Sequence, residues 1–255
     1  VDKENANGNR APAVSRAAAA LRLLAGERAG LGVTEIARRI ELVPSTCLHV
    51  LRALVDEGLI AFDPVTKTYS TGVGLLTLVR EAMALREFPR LVQPVLDRLA
   101  AEHQVTAVAV ELDSRERLVV VATSRSSGMV SLHINVGSRF PALISATGRC
   151  VAAMRDLGRD ALRKKFEALN WEKAPRFEDW CAEIDRVKVE KVAVDRGGYI
   201  RGVTVVAALL PQGADRVTRG IALVGFDHHM ATERTMRQIK DDLRNSVEDL
   251  AAQFH

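Results

Sequence analysis

The chain has 255 residues, 47% of them hydrophobic and 27% charged, and a formal net charge of +4 from 36 Lys+Arg against 32 Asp+Glu. That balance excludes a disordered, collagen-like or low-complexity chain, and the mild basic excess permits an anionic partner without demanding one. No apolar run approaches the ~18 residues of a membrane span; the best, Ala17 to Ala25, is broken by Arg22 and has no convincing cleavage site, so no signal peptide is expected.

Residues 1–13 read as a polar arm. Ser15 is placed to cap a helix through Leu21 and Leu24, which Gly26, Gly30 and Gly32 punctuate. Thr34-Glu35-Ile36-Ala37 begins a second short helix ending near Ile40. Pro44 sits where a helix's first turn tolerates proline. The helix after it carries Cys47, Leu48, Leu51, Leu54 and Val55 at helical spacing and stops at Gly58. Leu59 to Phe62 and Lys67 to Tyr69, joined by a turn at Asp63-Pro64, predict a hairpin. A helix over Leu75–Glu87 is expected to end at Pro89, and another covers Leu91–His103. The period then changes. Strands are predicted at Val105–Val110, Leu118–Val121 and Val130–Val136, followed by helices near Gly148–Met154, Arg159–Leu169 and Phe177–Lys191. Further strands follow at Val192–Val194, Val203–Leu210 and Gly220–Phe226. A final helix aligns Met236, Ile239, Leu243, Val247, Leu250 and Phe254. The order is a helical domain with a hairpin, a connecting helix and an α+β domain.

Two short helices, a tight turn, a third helix and a hairpin make a winged helix-turn-helix arrangement. A helix fits the DNA major groove, and its first turns reach base edges. Here those turns offer Ser45, Thr46, His49 and Arg52. The hairpin would carry Lys67 to a phosphate, and Arg38 and Arg39 could meet phosphates too. The alternative is a three-helix packing unit without a nucleic-acid role. In its favour, residues 1–70 hold nine Lys+Arg and eight Asp+Glu, so the totals show no basic face.

These residues also carry a resemblance. Ser15 onward, Thr34–Ala37, Leu42 with Ser45-Thr46, Leu51 and Leu54, Gly58-Leu59 and Tyr69-Ser70-Thr71-Gly72 resemble the DNA-binding half of the IclR family of bacterial transcription regulators. Gly137, Pro141, Ser145 and Ala146-Thr147-Gly148-Arg149 match the stretch where that family has a glycine-lysine helix start. Asp195, Gly202, Val205–Ala208 and Gly220–Gly225 match its C-terminal signature. Pro44 and His49 depart from it, standing where a basic residue and an arginine are common, which bears on base preference. The resemblance implies a winged helix-turn-helix domain over 1–71, a linker helix over 72–88 and a GAF-like effector-binding domain over 89–255. It implies operator DNA and a small-molecule effector as partners of a homodimer or dimer of dimers.

Carried over by position, it also implies an effector pocket at Met129, Leu132, Phe140, Ala146, Thr147, Gly148, Asp195, Val205, Ala222 and Val224. Relatives that bind small oxoacids tend to have Cys or Ser at the last three positions, and here all three are apolar. Strand alternation puts Ala222 and Val224 on one face. An apolar floor, with backbone N–H groups of Ala146 to Gly148 at a helix start, favours an apolar or aromatic carboxylic acid. Thr147 and Arg149 are placed to assist. Plain core at Val205, Ala222 and Val224, with no pocket, is the alternative from the residues alone.

An enzyme is not expected. Ser145, His133 and Asp195 are triad types without a G-x-S-x-G elbow, and Gly72-Val73-Gly74 lacks a following Lys-Ser/Thr. His228-His229 are adjacent and point apart, unlike a metal-binding pair. No catalytic residue, metal or cofactor is predicted. Cys47, Cys150 and Cys181 are far apart and suit a reducing cytoplasm. The alternative function is a signalling module or hydrolase on the same fold without DNA binding.

Overall fold

The computed structural model describes residues 11–125, 132, 134–155, 157–211 and 218–254. Met129, His133, residues 1–10 of the expected arm and the side chain of Phe254 lie outside the described residues. The chain divides into two compact units between Arg86 and Glu87.

The first unit runs α1 (Pro12–Ala25), β1 (Leu31–Gly32), α2 (Val33–Arg39), α3 (Pro44–Asp56), β2 (Ile60–Asp63), β3 (Thr68–Thr71) and α4 (Gly74–Ala84). α1 starts at Pro12, ahead of the expected Ser15, because proline's fixed φ suits a first helical position. Ala20, Leu24, Ile36, Ala37, Cys47, Leu51, Leu54, Ile60 and Tyr69 form its core. The strands make a three-stranded antiparallel sheet in the order β1-β3-β2. Phe62 pairs with Tyr69 across β2 and β3, with ring centroids 4.8 Å apart. β1 was not anticipated; its two residues, Leu31 and Gly32, are recognisable only through their pairing with Tyr69 and Thr68.

The second unit runs α5 (Glu87–His103), β4 (Thr106–Leu112), β5 (Arg117–Thr123), β6 (Arg139–Pro141), α6 (Ser145–Met154), α7 (Arg159–Glu167), α8 (Phe177–Glu190), β7 (Val192–Arg196), β8 (Val203–Leu209), β9 (Arg219–Phe226) and α9 (Glu233–Ala251), with a 3₁₀ turn over Ala252–Phe254. Its six strands form one antiparallel sheet in the order β6-β5-β4-β9-β8-β7. On one face α5 and α9 pack Val92, Leu96, Leu99, Ile239, Leu243 and Leu250 against Ala107, Ala109, Val206, Ile221 and Leu223. On the other, α6, α7 and α8 bring Ala146, Val151, Phe166, Trp180 and Ile184 against Val108, Val120, Ala207 and Ala222. The α8 stripe of Phe177, Trp180, Ile184 and Val187 is buried as its spacing predicts.

Two expectations are corrected. The helix read over Leu75–Glu87 ends at Ala84, and Pro89 lies inside the first turn of the next helix. A continuous helix would press the Pro89 ring onto the Leu85 carbonyl, whereas in a first turn the missing N–H costs nothing. The strand expected over Val130–Val136 is not formed by its described residues: Leu132, Ile134 and Asn135 have no regular structure and Val136 is in a turn. The strand lies later, at β6, held by Leu118 opposite Phe140 and Arg117 opposite Pro141.

Candidate functional site

In the first unit, burial of Cys47, Leu51 and Leu54 turns the opposite side of α3 outward. Ser45, His49 and Arg52 are exposed on that side, at helical spacing, and Thr46 is half-buried. Asp63 shapes the hairpin turn: its carboxylate accepts the Val65 N–H and the Thr66 hydroxyl, each at 2.8 Å. Lys67 follows at φ 56°, exposed beside that turn. Arg38 and Arg39 are differently placed. Arg38 donates to both Glu35 oxygens at 2.7 and 3.0 Å, and Arg39 bonds Glu35 and Glu27. Those hydrogen bonds hold the Glu35 carboxyl down to about 2. Both guanidinium groups are thus paired within the unit while staying exposed at its surface.

In the second unit, a cavity of about 290 Å³ opens between the sheet and the start of α6. Val205 faces Val224 across β8 and β9, and Val108 faces Ala222 across β4 and β9, so these side chains share its floor. Leu132, Phe140 and Thr147 join them, and Thr106 Oγ1 pins Leu132 by donating to its carbonyl at 3.0 Å. Val110, Leu118, Ile134, Ile144, Ile200 and Val203 complete the apolar wall. Among the described residues its only side chains with polar groups are Ser138, Ser145, Thr147 and Tyr199, and no charged side chain lines it. The alternation in β4 could have flagged Val108 and Val110, while nothing local flagged Tyr199, whose ring meets Phe140 edge-on at 6.3 Å.

Ala146, Gly148 and Asp195 do not line this cavity. Ala146 is packed into the core between α6 and the sheet. Gly148 is where α6 crosses the backbone of Leu143: a Cβ there would stand 2.0 Å from the Leu143 carbonyl carbon. Asp195 is turned away behind the cavity wall. Its Oδ2 accepts the Ser145 hydroxyl at 3.0 Å and the Tyr199 N–H at 3.1 Å, and its Oδ1 lies 3.3 Å from Arg149 Nη1. That last contact is an ion pair without hydrogen-bond alignment. Arg149, also buried, bonds Glu183 through Nε. The Cys150 thiol is pushed up to about 12 by burial, which leaves it unreactive. Elsewhere, Glu102, His103 and Asp242 bring ligand atoms within 4.8 Å of one another. Arg98 already pairs with Glu102, and His103 Nε2 lies 3.0 Å from Asp242 Oδ2, so contacts within the chain account for the group.

A winged helix-turn-helix unit followed by a sheet domain that encloses an apolar cavity is the architecture of a ligand-controlled transcription regulator. The chain belongs to the IclR family of bacterial transcriptional regulators, with a helix-turn-helix DNA-binding domain and a C-terminal effector domain: the IclR helix-turn-helix model matches residues 13–64 and the bacterial transcriptional regulator IclR C-terminal model residues 82–252. It is 30% identical over 207 residues to the HTH-type transcriptional regulator Rv1719 of Mycobacterium tuberculosis, covering 77% of this chain and 76% of that one. It is 26% identical over 244 residues to the glycerol operon regulatory protein of Streptomyces coelicolor, covering 93% and 92%. The crystal structure of an IclR transcriptional regulator from Alicyclobacillus acidocaldarius superposes with a TM-score of 0.83 at 25% identity, covering 96% of this chain and 100% of that one. No helix among the described residues is long and apolar enough to cross a membrane.

Proposed function

We propose that this regulator reads a pseudo-palindromic operator as a dimer or pair of dimers, and that an apolar or aromatic carboxylic acid in the second unit's cavity modulates it. Ser45, Thr46, His49 and Arg52 are the base-reading group, and Lys67, Arg38 and Arg39 meet phosphates. One winged unit offers few base contacts, so a symmetric site read by two copies follows.

The observation that carries the effector reading is the cavity wall: mostly aliphatic and aromatic, with Ser145 and Thr147 contributed by the opening turn of α6. At about 290 Å³ it is at the small end of ligand sites, which suits a one-ring acid. The ring lies near Phe140 and Leu132, and the carboxylate takes the free N–H groups that open α6. A polar ligand would leave groups unpaired against Val205, Ala222 and Val224, at about 1–3 kcal/mol each. Apolar contact there is worth roughly 25 cal/mol per Å² buried. Calorimetry should therefore find benzoate binding more tightly than glyoxylate or pyruvate. Ala222→Trp should fill the cavity and abolish the response while DNA binding persists. Tighter binding of glyoxylate, or a normal response in the Trp variant, rules the reading out.

A further inference from the structure

Ser145 opens α6 at φ 58° and lines the cavity. Its hydroxyl donates to Asp195 Oδ2 at 3.0 Å. The other neighbours of that carboxylate are the Tyr199 N–H, which donates to Oδ2 at 3.1 Å, and the Arg149 guanidinium, an ion-pair contact to Oδ1 at 3.3 Å. Asp195 is 2% exposed and Arg149 4%, so water does not compete for these partners. Gly198 leaves the carboxylate its space, since a Cβ there would lie 2.6 Å from Oδ1. A serine hydroxyl carries one proton and two lone pairs. With the proton committed behind the wall, only lone pairs remain for the cavity.

We propose that Ser145, oriented by Asp195, is a hydrogen-bond acceptor in the cavity, and that the ligand is a 2-hydroxy acid with an apolar substituent. This rests on reading the cavity as the effector site with the carboxylate at the start of α6. The Gly148 N–H is already bonded to the Ile144 carbonyl at 2.9 Å. The N–H groups of Ser145 and Thr147, the residues of that turn that line the cavity, therefore remain for the carboxylate. A carboxylate held there sets its neighbouring carbon beside Ser145 Oγ. A hydroxyl on that carbon donates to the serine, whereas a keto oxygen there brings lone pair against lone pair. An ammonium group in its place finds no acidic side chain among the described lining residues and remains an unpaired buried charge. Asp195 is on this view a positioning residue, acting through Ser145.

Calorimetry on the full chain with mandelate, phenylacetate and phenylglyoxylate tests this, because the three differ only at the carbon next to the carboxylate. One enantiomer of mandelate should bind about fivefold to tenfold more tightly than phenylacetate, as one net hydrogen bond provides, and phenylglyoxylate should be weakest. Ser145→Gly keeps the positive φ and removes the hydroxyl, so it should bring mandelate and phenylacetate to equal affinity, with circular dichroism checking that it is folded. The wild-type order decides the matter if the variant does not fold. Phenylacetate binding as well as mandelate to the wild type overturns the proposal and leaves the apolar-acid reading intact. A mandelate preference that persists in folded Ser145→Gly also overturns it. If none of the three binds, the proposal is lost, and a benzoate titration shows whether the apolar-acid reading falls with it.

Discussion

Gly148 illustrates how a single position ties the cavity to the fold. Its α-carbon approaches the backbone of Leu143, and the atoms that a Cβ would meet at 2.0 and 2.2 Å are main-chain atoms with no rotamer to yield. Gly148→Ala should cost about 3 kcal/mol or more, the upper range for overpacking. That is roughly 6–12 °C in Tm for a domain of this size, read by thermal unfolding; an unchanged Tm contradicts the close approach. On the DNA side, Glu35 and Arg52 make a contrasting pair. Arg52 is exposed on the outer side of α3, and Arg52→Ala should weaken operator binding by about 1–3 kcal/mol if it reads a base. Glu35 instead occupies Arg38 and Arg39. Because its carboxyl is held down to about 2, the pairing supports the fold above the usual carboxylate range and is lost as pH falls through about 2. Glu35→Gln should free both arginines, tighten DNA binding at low salt, and steepen the salt slope by about one to two. A slope that does not change removes both arginines from the phosphate contacts.

At the scale of elements, α4 has apolar residues and no core of its own. None of its side chains is buried: Leu76 is 72% exposed, Leu78 53% and Val79 58%. Such a stripe is costly in water and is covered in a stable protein. A second copy is the occupant that fits the proposed dimer, so Leu78→Glu with Leu85→Glu should dissociate it, because two charges would be buried without partners. Light scattering that still reports a dimer sends the interface elsewhere. The periodicity of α4, α5, α8 and α9 is readable along the chain because burying one face imposes it locally. Pro89 is ambiguous in the sequence because proline ends one helix and starts another by the same chemistry, and only the neighbouring burial of Phe88 and Val92 decides between them. β6 leaves no signal in the sequence because three residues carry no period. Alternation puts Ala222 and Val224 on one face of a strand, but only the family resemblance marks them and Val205 as a pocket floor, since the residues alone read equally as plain core. The partners of Asp195 did not announce themselves, since Ser145 is 50 positions away and meets it only once α6 lies on β7.

For the whole molecule, the modest net charge of +4 is compatible with DNA binding through the few, local phosphate contacts proposed above. Operator affinity should fall linearly in log–log form as salt rises, with a slope of about −0.9 per phosphate neutralised. An affinity indifferent to salt contradicts DNA binding altogether. The two units have separate cores, one around Ile36 and Leu51 and the other on the two faces of the sheet. Ligand chemistry can therefore vary in one without disturbing the packing that shapes the other. The ends of the larger sheet carry a different consequence. β6, at one end of the described row, has only three residues, and Pro141 has no N–H to offer another strand. β7, at the other end, has five residues and closes on the exposed charge of Arg196. Short, proline-marked and charged borders give a stray polypeptide little to hydrogen-bond to, so the sheet resists templating its own aggregation while the chain is still emerging and folding.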